Sequence, residues 1–151
     1  MIHIPYGKGS IELEEGDFAV LSFGIGGLMA EGDGLSIVKA AMEKPIDSPR
    51  LSELSKGKKS CVIVISDHTR PVPSRDILPN MFAELKEGNP DIEIPLLVST
   101  GFHRSSTEAE LRFKLGDEIY ESCKTVVHDC RNADSNTNNI LRLHIMSDTV
   151  L

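Results

Sequence analysis

Apolar and polar positions divide the chain into short segments of changing period. Residues 2–13, IHIPYGKGSIEL, alternate around Tyr6-Gly7-Lys8-Gly9. That alternation predicts a β-hairpin whose turn places glycine at one or two positive-φ positions. Residues 18–23, FAVLSF, read as a short strand, broken by Gly24-Ile25-Gly26-Gly27. From 34 to 44 the period lengthens. Leu35, Val38, Ala41 and Met42 fall on one helical face, with Asp33 or Ser36 as the N-cap and Pro45 as the stop. A second short helix is expected at 49–55, carrying Leu51 and Leu54 and ended by Gly57.

The middle of the chain is more regular. CVIVI at 61–65 is an unbroken apolar run, the pattern of a strand covered on both faces. Pro71 and Pro73 in the following SDHTRPVPS segment bar a regular helix or a central strand there. Ile77, Leu78, Met81, Phe82 and Leu85 then mark one face of a helix closed by Gly88-Asn89-Pro90. IEIPLLV at 92–98 predicts a second strand, followed by STGFHR. A helix is expected over 106–115, capped by Ser105 or Ser106, with Glu108 as capping-box partner of Ser105. Helix formers continue to about Cys123, and KTVVH at 124–128 reads as a last strand.

The order β-α-β-α-β from 61 to 128 predicts the α/β class. The expected architecture is a mostly parallel sheet with helices on both faces, preceded by an N-terminal β-hairpin. Residues 136–151 form a tail, whose ILRLHIMSDTVL is one more strand or an unanchored end.

Composition narrows the partners. The 151 residues are about one domain's worth, long enough to bury a core. The net charge of −7 and the lack of Trp argue against nucleic acid and anionic membranes as partners. No apolar run approaches the roughly twenty residues of a membrane-spanning helix. The N-terminus has neither a basic nor an apolar signal region, and the three cysteines form no CxxC. Reduced thiols and a cytoplasmic location are expected.

Candidate chemistry gathers in two loops. Parallel sheets carry working residues beyond the C-terminal ends of their strands. SDHTRP and STGFHR both occupy that place, so one right-handed crossover brings Asp67, His68, Thr69, Arg70, Thr100, His103 and Arg104 to one edge. Arg70 can clamp a carboxylate or phosphate. Asp67 can orient a hydroxyl or an imidazole, Thr69 and Thr100 can donate to anions, and His103 can exchange a proton near neutral pH. Each also has a plainer role: Asp67 capping a turn, Arg70 pairing with a surface carboxylate, His68 in packing, His103 in solvent. Two such loops at one edge favour an anion-binding α/β domain. Gly24-x-Gly26-Gly27 lacks a phosphate-loop pattern, no HExxH occurs, and His128-Asp129 reads as a structural cap.

SDHTRPVPS at 66–74 paired with TGFHR at 100–104 resembles the lactate racemase family, the nickel-pincer-nucleotide-dependent 2-hydroxyacid racemases and epimerases. IPYGKG at 4–9 is similar to that family's N-terminal hairpin, and Pro45 to Lys58 to its connecting stretch. The resemblance runs from about residue 2 to about residue 135. It implies that Asp67, His68, Thr69 and Arg70 contact the pincer nucleotide. It further implies that Arg70 holds the substrate carboxylate and that His103 is one of two histidines acting as proton donor and acceptor. The second histidine, the lysine that anchors the cofactor and the histidine that ligates nickel lie downstream in the family, with no counterpart here. No metal ligand is therefore assigned. The resemblance implies a single partial N-terminal domain over 1–151. Its partners would be a small 2-hydroxy acid and the missing C-terminal part of the same protein, and it would be inactive alone.

Two other readings compete with it. One is a noncatalytic nucleotide- or phosphate-binding module built on the same loops. The other is a hydrolase using His103 with Asp67, for which no GxSxG motif is present.

Overall fold

A computed structural model describes residues 1–14, 16, 27 and 29–132. The strand expected at 18–23 and the tail at 136–151 lie outside them. The chain divides into two compact units, Met1–Ala30 and Glu31–Leu151.

The first unit contains the expected hairpin. β1 (Ile2–Tyr6) pairs antiparallel with β2 (Gly9–Leu13), Tyr6 opposite Gly9. The two-residue turn Gly7-Lys8 puts Gly7 at φ 59°, a left-handed conformation that suits a residue without a Cβ.

The second unit opens with α1 (Gly34–Glu43), capped by Asp33, whose carboxylate accepts from the Ser36 amide at 2.8 Å. Its inward stripe is Gly34, Val38 and Met42; Leu35 and Ala41, expected on that face, are exposed. Close approach explains the shift, since a Cβ on Gly34 would overlap the Asp76 carboxylate. The short α2 (Leu51–Leu54) is fixed by Glu84, which pairs with the Arg50 guanidinium and accepts from the Ser52 amide at 3.3 Å. Arg50 holds the Glu84 carboxyl below the usual range, against the opposing effect of burial.

β3 (Ile63–Ser66), α3 (Ser74–Gly88), β4 (Leu96–Ser99), α4 (Glu108–Leu115), α5 (Asp117–Ser122) and β5 (Thr125–Val127) complete the β-α-β-α-β run. The sheet is parallel, ordered β3-β4-β5, with Ile63 opposite Leu96 and Leu96 opposite Thr125. Helices flank it. Ile63, Ile65, Leu96 and Val98 join Leu78, Phe82 and Leu85 of α3, Leu111 and Leu115 of α4 and Ile119 of α5 in one buried cluster. Among the described residues no helix is long and apolar enough to cross a membrane.

Three local expectations are corrected. Val64, in the run expected to be covered on both faces, is 62% exposed, because it alternates with Ile63 and Ile65 and lies on the face opposite the buried cluster that they join. The 92–98 run forms regular ladder only from Leu96; before Pro95 it makes a single bridge, Glu93 to Ser60. The helix expected at 106 starts at Glu108, capped by Thr107 with Glu110 as its capping-box partner. Gly116, at φ 82°, then separates α4 from α5.

The α2–α3 contact yields a stability prediction. A Cβ at Gly88 would overlap the Ser52 carbonyl, so Gly88→Ala should destabilise the domain by about 1–3 kcal/mol in urea unfolding. An unchanged midpoint would contradict that packing.

Candidate functional site

In-register pairing of β3 and β4 places Ser66 opposite Ser99, so the two loops leave the sheet at the same level. Asp67 is the first residue past β3 and is only 2% exposed. A buried carboxylate requires donors. The Thr69 amide reaches Asp67 Oδ1 at 3.0 Å and the Thr69 hydroxyl the same oxygen at 2.7 Å. His103 Nδ1 lies 2.6 Å from Oδ2. Burial pushes the Asp67 carboxyl upward, but the Thr69 and His103 donors outweigh it and bring it down to about 2.

That ionisation assigns the imidazole. A carboxylate only accepts, so the His103 nitrogen facing it carries the proton. Nε2 is then left to accept or return a proton. The ring is 45% exposed, open enough to meet a small molecule. Its loop is set by Gly101 at φ 55° and by the His103 amide donating to the Thr100 carbonyl at 3.0 Å.

The remaining candidates separate. Thr69 and Arg70 are exposed at the mouth of a groove of about 940 Å³, also lined by His68, Pro71, Glu110, Phe113 and Lys114. Among the described residues no carboxylate pairs with Arg70, leaving its guanidinium for a ligand anion. His68 is held by Ser106, Nδ1 to Oγ at 3.0 Å, and bridges the two loops. Thr100 is not an anion donor, because its hydroxyl donates to the His128 carbonyl at 2.6 Å. Arg104 is drawn away by Glu110, which accepts from both of its terminal nitrogens at 2.9 and 2.6 Å. Among the described residues no group of three His, Cys, Asp or Glu is placed to hold a metal ion.

Two residues escaped the sequence reading. Ser106 reads in the sequence only as a possible helix cap, and Lys114 carries no assignment there. Lys114 is 9% exposed and its ammonium donates to the Arg70 carbonyl at 3.0 Å. The only signal in the sequence is its position between Leu111 and Leu115, which turns the side chain toward the sheet.

The profile of the lactate racemase N-terminal domain matches residues 6–140. The chain belongs to the lactate racemase N-terminal domain family. It is 40% identical over 137 residues to the lactate racemase of Thermoanaerobacterium thermosaccharolyticum, covering 89% of this chain and 32% of that protein. It is 46% identical over 91 residues to the lactate racemase of Lactiplantibacillus plantarum, covering 60% of this chain and 22% of that one. The solved apoprotein of the Thermoanaerobacterium racemase superposes with a TM-score of 0.72 at 41% identity, covering 88% of this chain and 31% of that chain. The chain thus spans about a third or less of the length of each of these relatives.

The Asp67–His103 contact predicts an acid response. A carboxyl lowered on folding stabilises the fold above the ordinary aspartate range and loses that contribution as pH falls toward about 2. Asp67→Asn should therefore flatten the fall in stability between pH 4 and 2 (approximate limits), measured by urea unfolding at stepped pH. Nitrogen-15 spectra of His103 should show a protonated Nδ1 in the parent domain and a mixture of tautomers in the variant. A tautomer unaffected by Asp67→Asn would remove the orienting role.

Proposed function

We propose that this chain is the N-terminal portion of a cytoplasmic 2-hydroxyacid racemase, an isomerase, and that it supplies one wall of the reaction cleft. The observation that carries the reading is the Asp67–His103 contact, on the two loops that resemble the family's motifs, with Arg70 further along the first loop and without a carboxylate partner among the described residues. Arg70 fixes the substrate carboxylate with its planar fork, which places the 2-hydroxyl and the C2 hydrogen. His103 Nε2 takes the hydroxyl proton, while Asp67 stabilises the imidazolium that forms and keeps the ring from turning. When the proton is returned, the same pair runs in reverse.

A planar 2-keto acid has two faces, and racemisation needs a proton exchanger on each. Among the described residues His103 is the one assigned that role, so on this reading the chain is inactive alone and the remainder of the protein brings the other. The nickel-pincer nucleotide supplies the hydride acceptor when bound. The groove suits such a group in size and donor set. Its volume of about 940 Å³ accommodates a nucleotide, and the Arg70 guanidinium on its lining is a donor for phosphate oxygens. Asp67, His68, Thr69 and Arg70 would hold it, with the covalent anchor and the nickel ligand lying outside this chain. On this reading residues 1–151 belong to a partial N-terminal domain of a longer protein.

The Asp67–His103 pair also has the orientation a hydrolase would use, since the two side chains sit at one edge and in contact. Family membership favours the racemase.

The test is a chimera. This chain replaces the matched stretch of the Thermoanaerobacterium racemase, in cells that make the cofactor, and interconversion of D- and L-lactate is followed. The chimera should racemise. His103→Ala and Arg70→Ala should each lower turnover on the order of 10²–10⁴-fold, and the isolated chain should show none. A folded, cofactor-loaded chimera without racemisation would end the proposal.

A further inference from the structure

The racemase reading gives Arg70 its task without saying what holds it in place. Arg70 is exposed on a loop between Asp67 and two prolines, and its own amide makes only a long contact, 3.4 Å, to the Asp67 carbonyl. Lys114 approaches from α4. It is only 9% exposed, and its ammonium donates to the Arg70 carbonyl at 3.0 Å. The contact spans 44 residues of sequence. An ammonium taken out of water is costly unless a partner uses it. Here burial lowers the lysine's affinity for its proton, and the field of Asp67 acts to restore it. Lysines on the solvent face of a helix carry no such cost.

The neighbouring side chains point the same way. Glu110, one turn earlier on α4, is engaged by Arg104 and Thr107, so it offers the ammonium no pair there. Among the described residues no salt bridge to Lys114 exists. Its hydrogen-bond acceptor is the main chain of the residue that faces the ligand groove.

We infer that Lys114 is a positioning residue for the carboxylate-binding loop: by holding the Arg70 carbonyl it fixes the backbone from which the Arg70 guanidinium reaches the substrate. Resting on the racemase reading for what Arg70 binds, the inference stands on geometry for what Lys114 holds. Two measurements separate these.

Amide hydrogen exchange is followed in this chain for Lys114→Met, which keeps an unbranched apolar stem, and Lys114→Arg, which keeps a cationic donor. Exchange at the Thr69, Arg70 and Ser74 amides should rise about tenfold in the methionine variant. It should return toward the parent value in the arginine variant, with Val98 and Leu111 unchanged in both. Loop exchange that stays at the parent rate, or loop and core rates that rise together, would overturn the inference. The second measurement uses the chimera with L-lactate. Lys114→Met should raise KM about tenfold with a smaller change in kcat, because the lost contact serves ligand placement. A change confined to kcat would also overturn it. If the parent chimera does not racemise, the racemase reading fails, and the exchange data still decide whether Lys114 orders the loop.

Discussion

Everything at the sheet edge depends on keeping the charge of Asp67 out of water. A carboxylate at that depth is tolerable only if its oxygens are met by donors, and here the donors come from both loops. Thr69 closes the first loop back on itself through its amide and its hydroxyl. His103 reaches across from the second. One desolvation cost therefore does two jobs. It shapes the turn after β3, and it selects the imidazole tautomer after β4. The parallel register beneath makes this possible, because Ser66 and Ser99 stand side by side.

Around that charge the other ionic groups are sorted by what they are needed for. Arg104 is tied to Glu110 and becomes part of the scaffold, with Thr107 capping α4 on the same carboxylate. His68 fastens one loop to the other through Ser106. Among the described residues Arg70 has no carboxylate partner, and it lines the groove. The division bears on the proposed binding of an anion by a chain of net charge −7: near the edge Asp67 and Glu110 are already engaged by donors of the scaffold.

Much of this was legible in the sequence because it rests on local rules. The hairpin around Gly7, the stop at Gly57, the alternation of strand and helix and the placing of both loops at one edge all follow from short-range pattern and crossover handedness. What escaped depended on neighbours distant in sequence. Leu35 reads as a buried helix position, yet α1 turns instead about Gly34, where Asp76 of another helix comes close. Val64 reads as covered, but only the packing of helices distant in sequence decides which face of β3 is buried. Ser106 resembles a cap until His68, 38 residues away, takes its hydroxyl. Thr100 and Arg104 look like ligands by type, and only the fold reveals that a carbonyl and a carboxylate already hold them.

The bond between Thr100 and the His128 carbonyl has a mechanical meaning. The His103 amide hangs from the carbonyl of the same threonine, so Thr100 joins the exit of β5 to the loop that carries the imidazole. The chain just past β5 is therefore only two hydrogen bonds from the His103 backbone, and the third strand is tied to the loop that carries the imidazole.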